Sequence, residues 1–288
     1  MAPRIFKSTI PSVPVVKRSV YTHLFASSDP NLVGQFPGST PAFIDAASGA
    51  TLTRADLKHL TLAFGYGIRN HPQTATNRGD TVLIYSVNAL YWPVVLLGAG
   101  EQTFLYSTSS SLTVILVVAA GLRCTLANNA YNARELAHQY TDSGATLILT
   151  SEDGISVTRE TLRNLGLSDD QVDTKIVVLG SSLDWAGGPA TPRVAEAAGL
   201  LHMEDLLKLG TLAEEEKFDD QLAHETVFLC YSSGGLHPDE VLHVDLILIR
   251  YYWKTKRCRG TRIASMLLRE TINSPFVYRR RIRTSRPS

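Results

Sequence analysis

The sequence predicts an α/β protein, because short apolar segments of β-strand character alternate with longer segments of helical periodicity. The strand-like segments include Val82–Val87, Thr146–Thr150 and Lys175–Gly180. Arg54–Asn70 and Asn132–Ser143 have the apolar spacing of amphipathic helices. A length of 288 residues allows one large domain or two small ones.

The amino-terminal part is predicted to be extended. Residues 1–24 form a lead-in whose Pro11 and Pro14 oppose a helix, although Tyr21–Ala26 is long enough for one short helix at its end. The next prediction is a hairpin over Pro41–Thr53, with its turn at Ser48-Gly49.

Helix starts are marked by capping residues. Thr53 precedes the helix Arg54–Asn70 and stands three residues before Asp56, which predicts a capping box. Ser168 and Gln171 have the same spacing. Asn88 is placed to cap a helix over Ala89–Ala99.

Thr226–Gly234 is the stretch with the clearest functional signal. It begins with a buried strand and ends in Tyr231-Ser232-Ser233-Gly234, two hydroxyl residues and a glycine at the carboxyl end of that strand. Loops at such ends present free backbone N–H groups to ligands. Ser232, Ser233 and Gly234 are therefore candidate phosphate contacts, and the alternative is an ordinary strand followed by a turn.

Four motifs of the sequence resemble motifs of the adenylate-forming ligases, which are the AMP-dependent synthetase/ligase superfamily. Tyr231–Gly234 is similar to the opening of the family's phosphate loop. The segment from Gly79-Asp80 to Asn88 resembles its Gly-Asp-x-Val motif. Asn128-Asn129-Ala130-Tyr131 followed by Glu135-Leu136 resembles Asn-Pro-x-Tyr-x-x-x-Glu-Leu. The fourth is Gly144–Thr150, which is also similar to the family pattern.

The resemblance implies the amino-terminal, incomplete part of an acyl-CoA synthetase-like fold, a mostly parallel sheet flanked by helices. It covers residues 25–234, and 4-coumarate:CoA-ligase-like members are the most similar. For that family it implies ATP, Mg²⁺ and CoA as cofactors and a small carboxylic acid, aryl or medium-chain, as the substrate. The acid is first joined to AMP as an acyl-adenylate and then transferred to CoA.

The phosphate loop departs from the family pattern after Gly234. The family continues Thr-Thr-Gly-x-Pro-Lys-Gly, whereas this chain has Gly235-Leu236-His237-Pro238-Asp239-Glu240. The lysine is missing, and none of the family's downstream catalytic motifs is recognisable in residues 235–288. We therefore expect a truncated and inactive member of the family, with no catalytic residue assigned.

Two segments have no counterpart in the family. Gly100–Val117 interrupts a helix that would otherwise be continuous; it is either a tolerated loop insertion or untrimmed sequence such as a translated intron. The apolar character of Leu112–Val118 favours the second interpretation. Residues 235–288 form a basic tail, in which Ile263–Thr271 is predicted to be a helix.

The charge distribution changes at the tail. Between Arg250 and Ser288 stand 12 Lys and Arg residues and one acid, Glu270, while the rest of the chain is acidic. Beside Tyr251, Tyr252 and Trp253, these cations suggest a nucleic-acid binder as one alternative function. A noncatalytic protein that binds a partner is the other, and a solvated or out-of-frame tail is the plainest explanation. Glu214–Asp220 is predicted to be an acidic surface loop.

Cysteine and targeting signals predict an intracellular protein. Cys124, Cys230 and Cys258 are far apart and match no metal spacing, and the histidines lack zinc-site spacing, so neither a disulfide framework nor a metal site is expected. Leu112–Leu122 is too short to span a bilayer. The resemblance implies a cytoplasmic or peroxisomal location, but Arg286-Pro287-Ser288 is not the Ser-Lys-Leu peroxisomal signal. The oligomeric state is left open.

Overall fold

The structure, a computed structural model, describes residues 19–96, 119–222, 225–232, 245–246, 249–257 and 262–269. The described chain falls into two compact units, which divide between Lys217 and Phe218. The insertion Gly100–Val117 and residues 1–18 of the lead-in lie outside the described residues.

The unit Arg18–Lys217 contains a five-stranded parallel sheet in the order β6-β5-β7-β8-β9. Its strands are β5 (Thr81–Tyr85), β6 (Arg123–Ala127), β7 (Ala145–Ser151), β8 (Ile176–Leu179) and β9 (Leu201–His202). Before them come two short pairs, β1 (Leu32–Val33) with β2 (Phe36–Pro37) and β3 (Pro41–Ile44) with β4 (Thr51–Thr53).

The helices of this unit precede, separate and follow its strands. They are α1 (Val20–Phe25), α2 (Arg54–Asn70), α3 (Tyr91–Leu96), α4 (Ala133–Ser143), α5 (Ile155–Asn164), α6 (Asp169–Thr174) and α7 (Met203–Leu207). The predicted α/β class with a mostly parallel sheet flanked by helices is confirmed.

Local sequence signals set the starts of α2 and α6 as predicted, whereas α3 begins at Tyr91 rather than at Ala89, so Asn88 does not stand directly before it. Thr53 and Asp56 form a reciprocal capping box at α2, and Ser168 forms one with Gln171 at α6. Asn132 caps α4 by accepting from the N–H groups of Arg134 and Glu135. In the β3–β4 hairpin, Ser48 donates its N–H to Asp45 Oδ2 at 2.8 Å, and Gly49 adopts a φ of 75° that favours glycine.

The core lies on both faces of the sheet, as parallel strands require. Every residue of β5 is buried. Leu83 and Tyr85 join a cluster with residues of α4 and α5, including Leu136 and Leu162. The alternate β5 side chains, Val82 and Ile84, point to the other face and are fully buried as well.

The segment before Lys217 is only partly the acidic surface loop that the sequence predicts. Glu215 is only 9% exposed and accepts from the hydroxyl of Thr22 and the ammonium of Lys217. Glu216 binds Arg69 at the end of α2 and, at 2.9 Å, Arg78 before β5. Each of these carboxylates is paired with a cation or a hydroxyl, so the acidic run fastens α1 and α2 to the sheet.

The second unit contains an antiparallel arrangement. β10 (Phe228–Ser232) pairs with β13 (Arg262–Arg269), which pairs with β12 (Ile249–Arg257), and β12 pairs with β11 (Asp245–Leu246). The predicted helix Ile263–Thr271 is therefore wrong. Cross-strand pairing along all eight residues of β13 outweighs the modest helix propensity of its Ala, Met and Leu residues. The 234/235 domain boundary stays a prediction.

Gly67 allows α2 to approach α7, which predicts a specific stability effect. A Cβ atom at position 67 would overlap the carbonyl oxygen of Leu206, which is backbone and cannot turn aside. We expect Gly67→Ala to lower the free energy of unfolding by about 2 kcal/mol, as overpacking generally does. Urea denaturation of the purified protein measures it.

Gly65→Ala is the matched control in the same helix. Its Cβ atom would meet only the end of the Leu212 side chain, at 2.9 Å, which can move. Alanine also has the higher helix propensity, so this variant should be near neutral. Equal losses from both substitutions would show that the Gly67–Leu206 approach has no special role.

The double ion pair of Glu216 generates a second prediction. Hydrogen bonds from Arg69 and Arg78 hold the pKa of Glu216 below its ordinary value, although burial opposes them. Glu216→Gln leaves two half-buried guanidinium groups without a charged partner and should cost about 1 kcal/mol, a melting-temperature loss of about 2–4 °C. Glu214→Gln, at an exposed carboxylate, is the control, and an equal loss from it would refute the assigned role.

Candidate functional site

The predicted phosphate contacts follow β10. Ser232 is the last residue of β10 and pairs with Ala264 of β13, and Tyr231 is partly buried. Ser233 and Gly234 lie outside the described residues. The strand that leads to the candidate loop is thus confirmed, whereas the assignment of Ser232, Ser233 and Gly234 to a phosphate stays a prediction.

A second candidate position is the carboxyl edge of the parallel sheet. β5 and β7 are neighbours, but the chain continues from β5 to β6 on one side and from β7 to β8 on the other. Where neighbouring strands connect in opposite directions, a crevice opens at their carboxyl ends, and ligands of open α/β sheets bind there.

Three buried hydroxyl groups lie at this crevice. The Tyr91 hydroxyl is 2.7 Å from Ser86 Oγ, and Ser86 donates to the carbonyl of Val87 at 2.9 Å. Ser151, the last residue of β7, also hydrogen bonds to Tyr91. Ser86 directly follows β5, so both serines stand at strand ends. The position of a serine at the end of a predicted strand is the sequence signal that could have identified them.

The electrostatics make Tyr91 a hydrogen-bonding group rather than a base or nucleophile. Burial raises its pKa to about 12, and the carboxylates of Asp153 and Glu152 act in the same direction. The hydroxyl therefore stays protonated at neutral pH. Tyr85 donates to the carbonyl of Tyr131 at 2.8 Å and so ties the end of β5 to the loop after β6.

Gly154 keeps the acids close to the sheet edge. A Cβ atom there would overlap Thr150 Oγ1 and approach the Tyr85 ring to 3.0 Å. The short helix Glu152–Gly154 can therefore lie against the end of β5 and place Glu152 and Asp153 beside the crevice. This edge provides hydroxyls and negative charge.

His202 is a capping residue at the end of β9. It is 1% exposed, its side chain accepts from the N–H of Asp205, and its own N–H donates to Asp205 Oδ2 at 3.2 Å. Arg193 binds Asp205 Oδ1 at 2.7 Å. Burial first, and then the charge of Arg193, lower the pKa of His202. These contacts give His202 a capping role at the start of α7.

The described ranges contain no group of three His, Cys, Asp or Glu residues arranged to hold a metal ion. Within the same ranges, no helix is both long and apolar enough to cross a bilayer.

A match to a protein-family model shows which family the chain belongs to. A family model described as AMP-binding enzyme matches residues 32–235, which is more than two thirds of the sequence. The chain belongs to the AMP-binding enzyme family. The match begins at β1 and ends one residue after the candidate glycine, Gly234.

The curated relatives are plant proteins. The chain is 28% identical over 209 residues to 4-coumarate–CoA ligase-like 3 of Oryza sativa subsp. japonica, an alignment that covers 68% of this chain and 30% of the relative. It is 31% identical over 112 residues to a protein of the same name from Arabidopsis thaliana, which covers 39% of this chain and 17% of the relative. The chain thus spans less than a third of the length of either relative.

Two solved structures that the chain resembles are a CoA ligase and a luciferase. A benzoate CoA ligase from Burkholderia xenovorans gives a TM-score of 0.45 at 15% identity, with 67% of this chain and 30% of that chain covered. A red-emitting luciferase from Phrixothrix hirtus gives 0.47 at 15% identity, with 68% and 31% covered.

The lowered pKa of His202 predicts a pH dependence of stability. Below its ordinary value of 6.5 the unfolded chain takes up a proton that the folded chain resists, so stability is complete above that pH and is lost as pH falls. His202→Asn retains a capping acceptor without a titrating group and should flatten the slope below about pH 6.5.

Urea midpoints at several pH values measure this effect, with a maximum slope of about 1.4 kcal/mol per pH unit for one proton. His23→Asn, a change in an exposed histidine of α1, is the control. If His202→Asn retained the slope of the unmodified protein, the titration would have to be assigned to another group.

Proposed function

We propose that this chain provides the amino-terminal substructure of an ATP-dependent acyl-CoA ligase and that, as it stands, it does not catalyse adenylation. The observation that carries the proposal is the end of the family match at residue 235. It coincides with the point at which the phosphate-loop sequence gives way to Leu236-His237-Pro238-Asp239.

The reaction proposed for the family consists of two displacements. A carboxylate oxygen attacks the α-phosphorus of ATP, and the bond to pyrophosphate breaks to give an acyl-adenylate. The thiol sulfur of CoA then attacks the acyl carbon, and AMP leaves. A small aryl or medium-chain carboxylic acid is the proposed substrate class, in line with the names of the 4-coumarate–CoA ligase-like relatives.

The residues of this chain account for only part of that chemistry. Backbone N–H groups at Ser232, Ser233 and Gly234 would contact phosphate oxygens, because a loop at a strand end leaves such donors free. Mg²⁺ bound to the nucleotide would neutralise the charge that develops on pyrophosphate. The chain has Gly235–Glu240 where the family has a loop lysine, and this segment contains the acids Asp239 and Glu240 but no Lys or Arg.

The missing cation is the reason to expect inactivity. Loss of one preorganised donor to developing charge typically costs about 10²–10³ in rate. A complete site also raises the reaction rate by holding the nucleotide and the acid in position. A site that lacks several contacts therefore loses rate for more than one reason. The alternative is a noncatalytic binding role, which the retained α/β fold supports. An absence of catalysis would be consistent with that alternative as well.

Exchange of radiolabelled pyrophosphate into ATP tests the proposal. We expect no acid-dependent exchange with 4-coumarate, benzoate or octanoate, because the transition-state charge has no lysine to meet it. A 4-coumarate–CoA ligase of full family length, assayed in parallel, provides the positive control.

A loop graft separates the loop from the rest of the site. Replacement of residues 235–240 by Thr-Thr-Gly-Lys-Pro-Lys should not restore exchange, because the remaining contacts are still absent. Acid-dependent exchange by the unmodified chain would overturn the proposal and would place catalytic groups within residues 235–288.

A further inference from the structure

A cleft of about 370 Å³ lies between the first turns of α2 and the short helix Asp184–Ala186. Leu52 and Leu60 give it an apolar floor and wall, Trp185 and Gly187 line the opposite side, and Asp56 and His59 are its polar groups. The volume is near the lower end of the range for small-molecule sites. All of these residues belong to the unit Arg18–Lys217.

Local hydrogen bonds fix the wall that carries Trp185. The indole N–H donates to the carbonyl of Ser182 at 2.8 Å, which sets the orientation of the ring. Leu183 and Pro189 are joined by a backbone hydrogen bond of 3.0 Å, and Gly187 takes a φ of 68° within this turn. The aromatic side of the cleft is therefore preorganised, which reduces the entropy lost on binding.

The carboxylate of Asp56, on the α2 side of the cleft, is held by hydrogen bonds. Thr53 donates its N–H and its hydroxyl to the same oxygen, Oδ2, at 3.0 and 2.6 Å. Both bonds fix the carboxylate as part of the helix cap and end on Oδ2, so that Oδ1 can still accept from a ligand. The cleft thus combines a negative charge, an aromatic ring and an apolar surface.

We propose that this cleft binds a small organic ammonium ion, with the Trp185 ring and the Asp56 carboxylate as its recognition groups. A quaternary ammonium presents methyl groups to Leu52 and Leu60 and a diffuse positive charge to an aromatic ring and a carboxylate. A carboxylic acid of similar size would be repelled by Asp56. The proposal concerns a ligand of opposite charge to the acid proposed as substrate, and it does not depend on the proposed function.

Choline is the probe, and 3,3-dimethyl-1-butanol is its neutral isostere. Isothermal titration at about pH 8, where histidine is generally neutral, should give a dissociation constant of about 1 mM for choline and at least about fivefold weaker binding of the isostere. The same difference should appear in saturation-transfer NMR.

Two variants assign the contacts. Trp185→Leu removes the aromatic ring, and Asp56→Asn removes the charge while it retains a capping acceptor; each should weaken choline binding at least about fivefold. Asp184 is exposed and adjacent to Trp185 in sequence, but it does not line the cleft. Asp184→Asn therefore removes one negative charge and should leave choline binding unchanged.

Thermal unfolding of each variant confirms that it is folded before the titration is interpreted. Equal affinity for choline and its isostere, an unchanged affinity in Trp185→Leu, or no saturable binding to the unmodified protein would each overturn the proposal.

Discussion

Burial of β5 on both faces is the constraint on which the unit Arg18–Lys217 depends. Its five residues are all inaccessible, and it pairs with β6 on one edge and β7 on the other. A strand in this position has no solvent-facing side, so helices must cover both faces of the sheet. The close approach of α2 to α7 at Gly67 and the ion pairs of Glu216 follow from that need, since each holds a covering helix or its end in place.

The same constraint determines where polar chemistry can occur. Because the strands are buried along most of their length, hydroxyl and carboxylate groups also lie where strands end, as Ser86, Ser151 and Glu152 show. In the crevice between β5 and β7, Ser86 and Ser151 hydrogen bond to Tyr91, whose raised pKa keeps its hydroxyl protonated. Satisfied hydroxyls of this kind specify the packing of strand ends, as buried polar networks do in general.

The sequence predicted the parts of the fold that local physics decides. Capping boxes at Thr53 and Ser168 and the turn at Gly49 depend on neighbouring residues and are present. The prediction from sequence was wrong where residues distant in the chain determine the local structure. Ile263–Thr271 has residues compatible with a helix, but pairing with β12 makes it a strand. Glu215 belongs to a charged run typical of a surface loop, but Thr22, 193 residues earlier, makes its burial possible.

The family match and the proposed lack of catalysis concern different residues in this chain. The match spans residues 32–235, which include the parallel sheet and the helices packed against it. A phosphate-loop lysine contributes nothing to that packing, because a cation is needed only where charge develops during reaction. The loss of such a residue therefore leaves the fold intact, and a family match over residues 32–235 is evidence about architecture before it is evidence about activity.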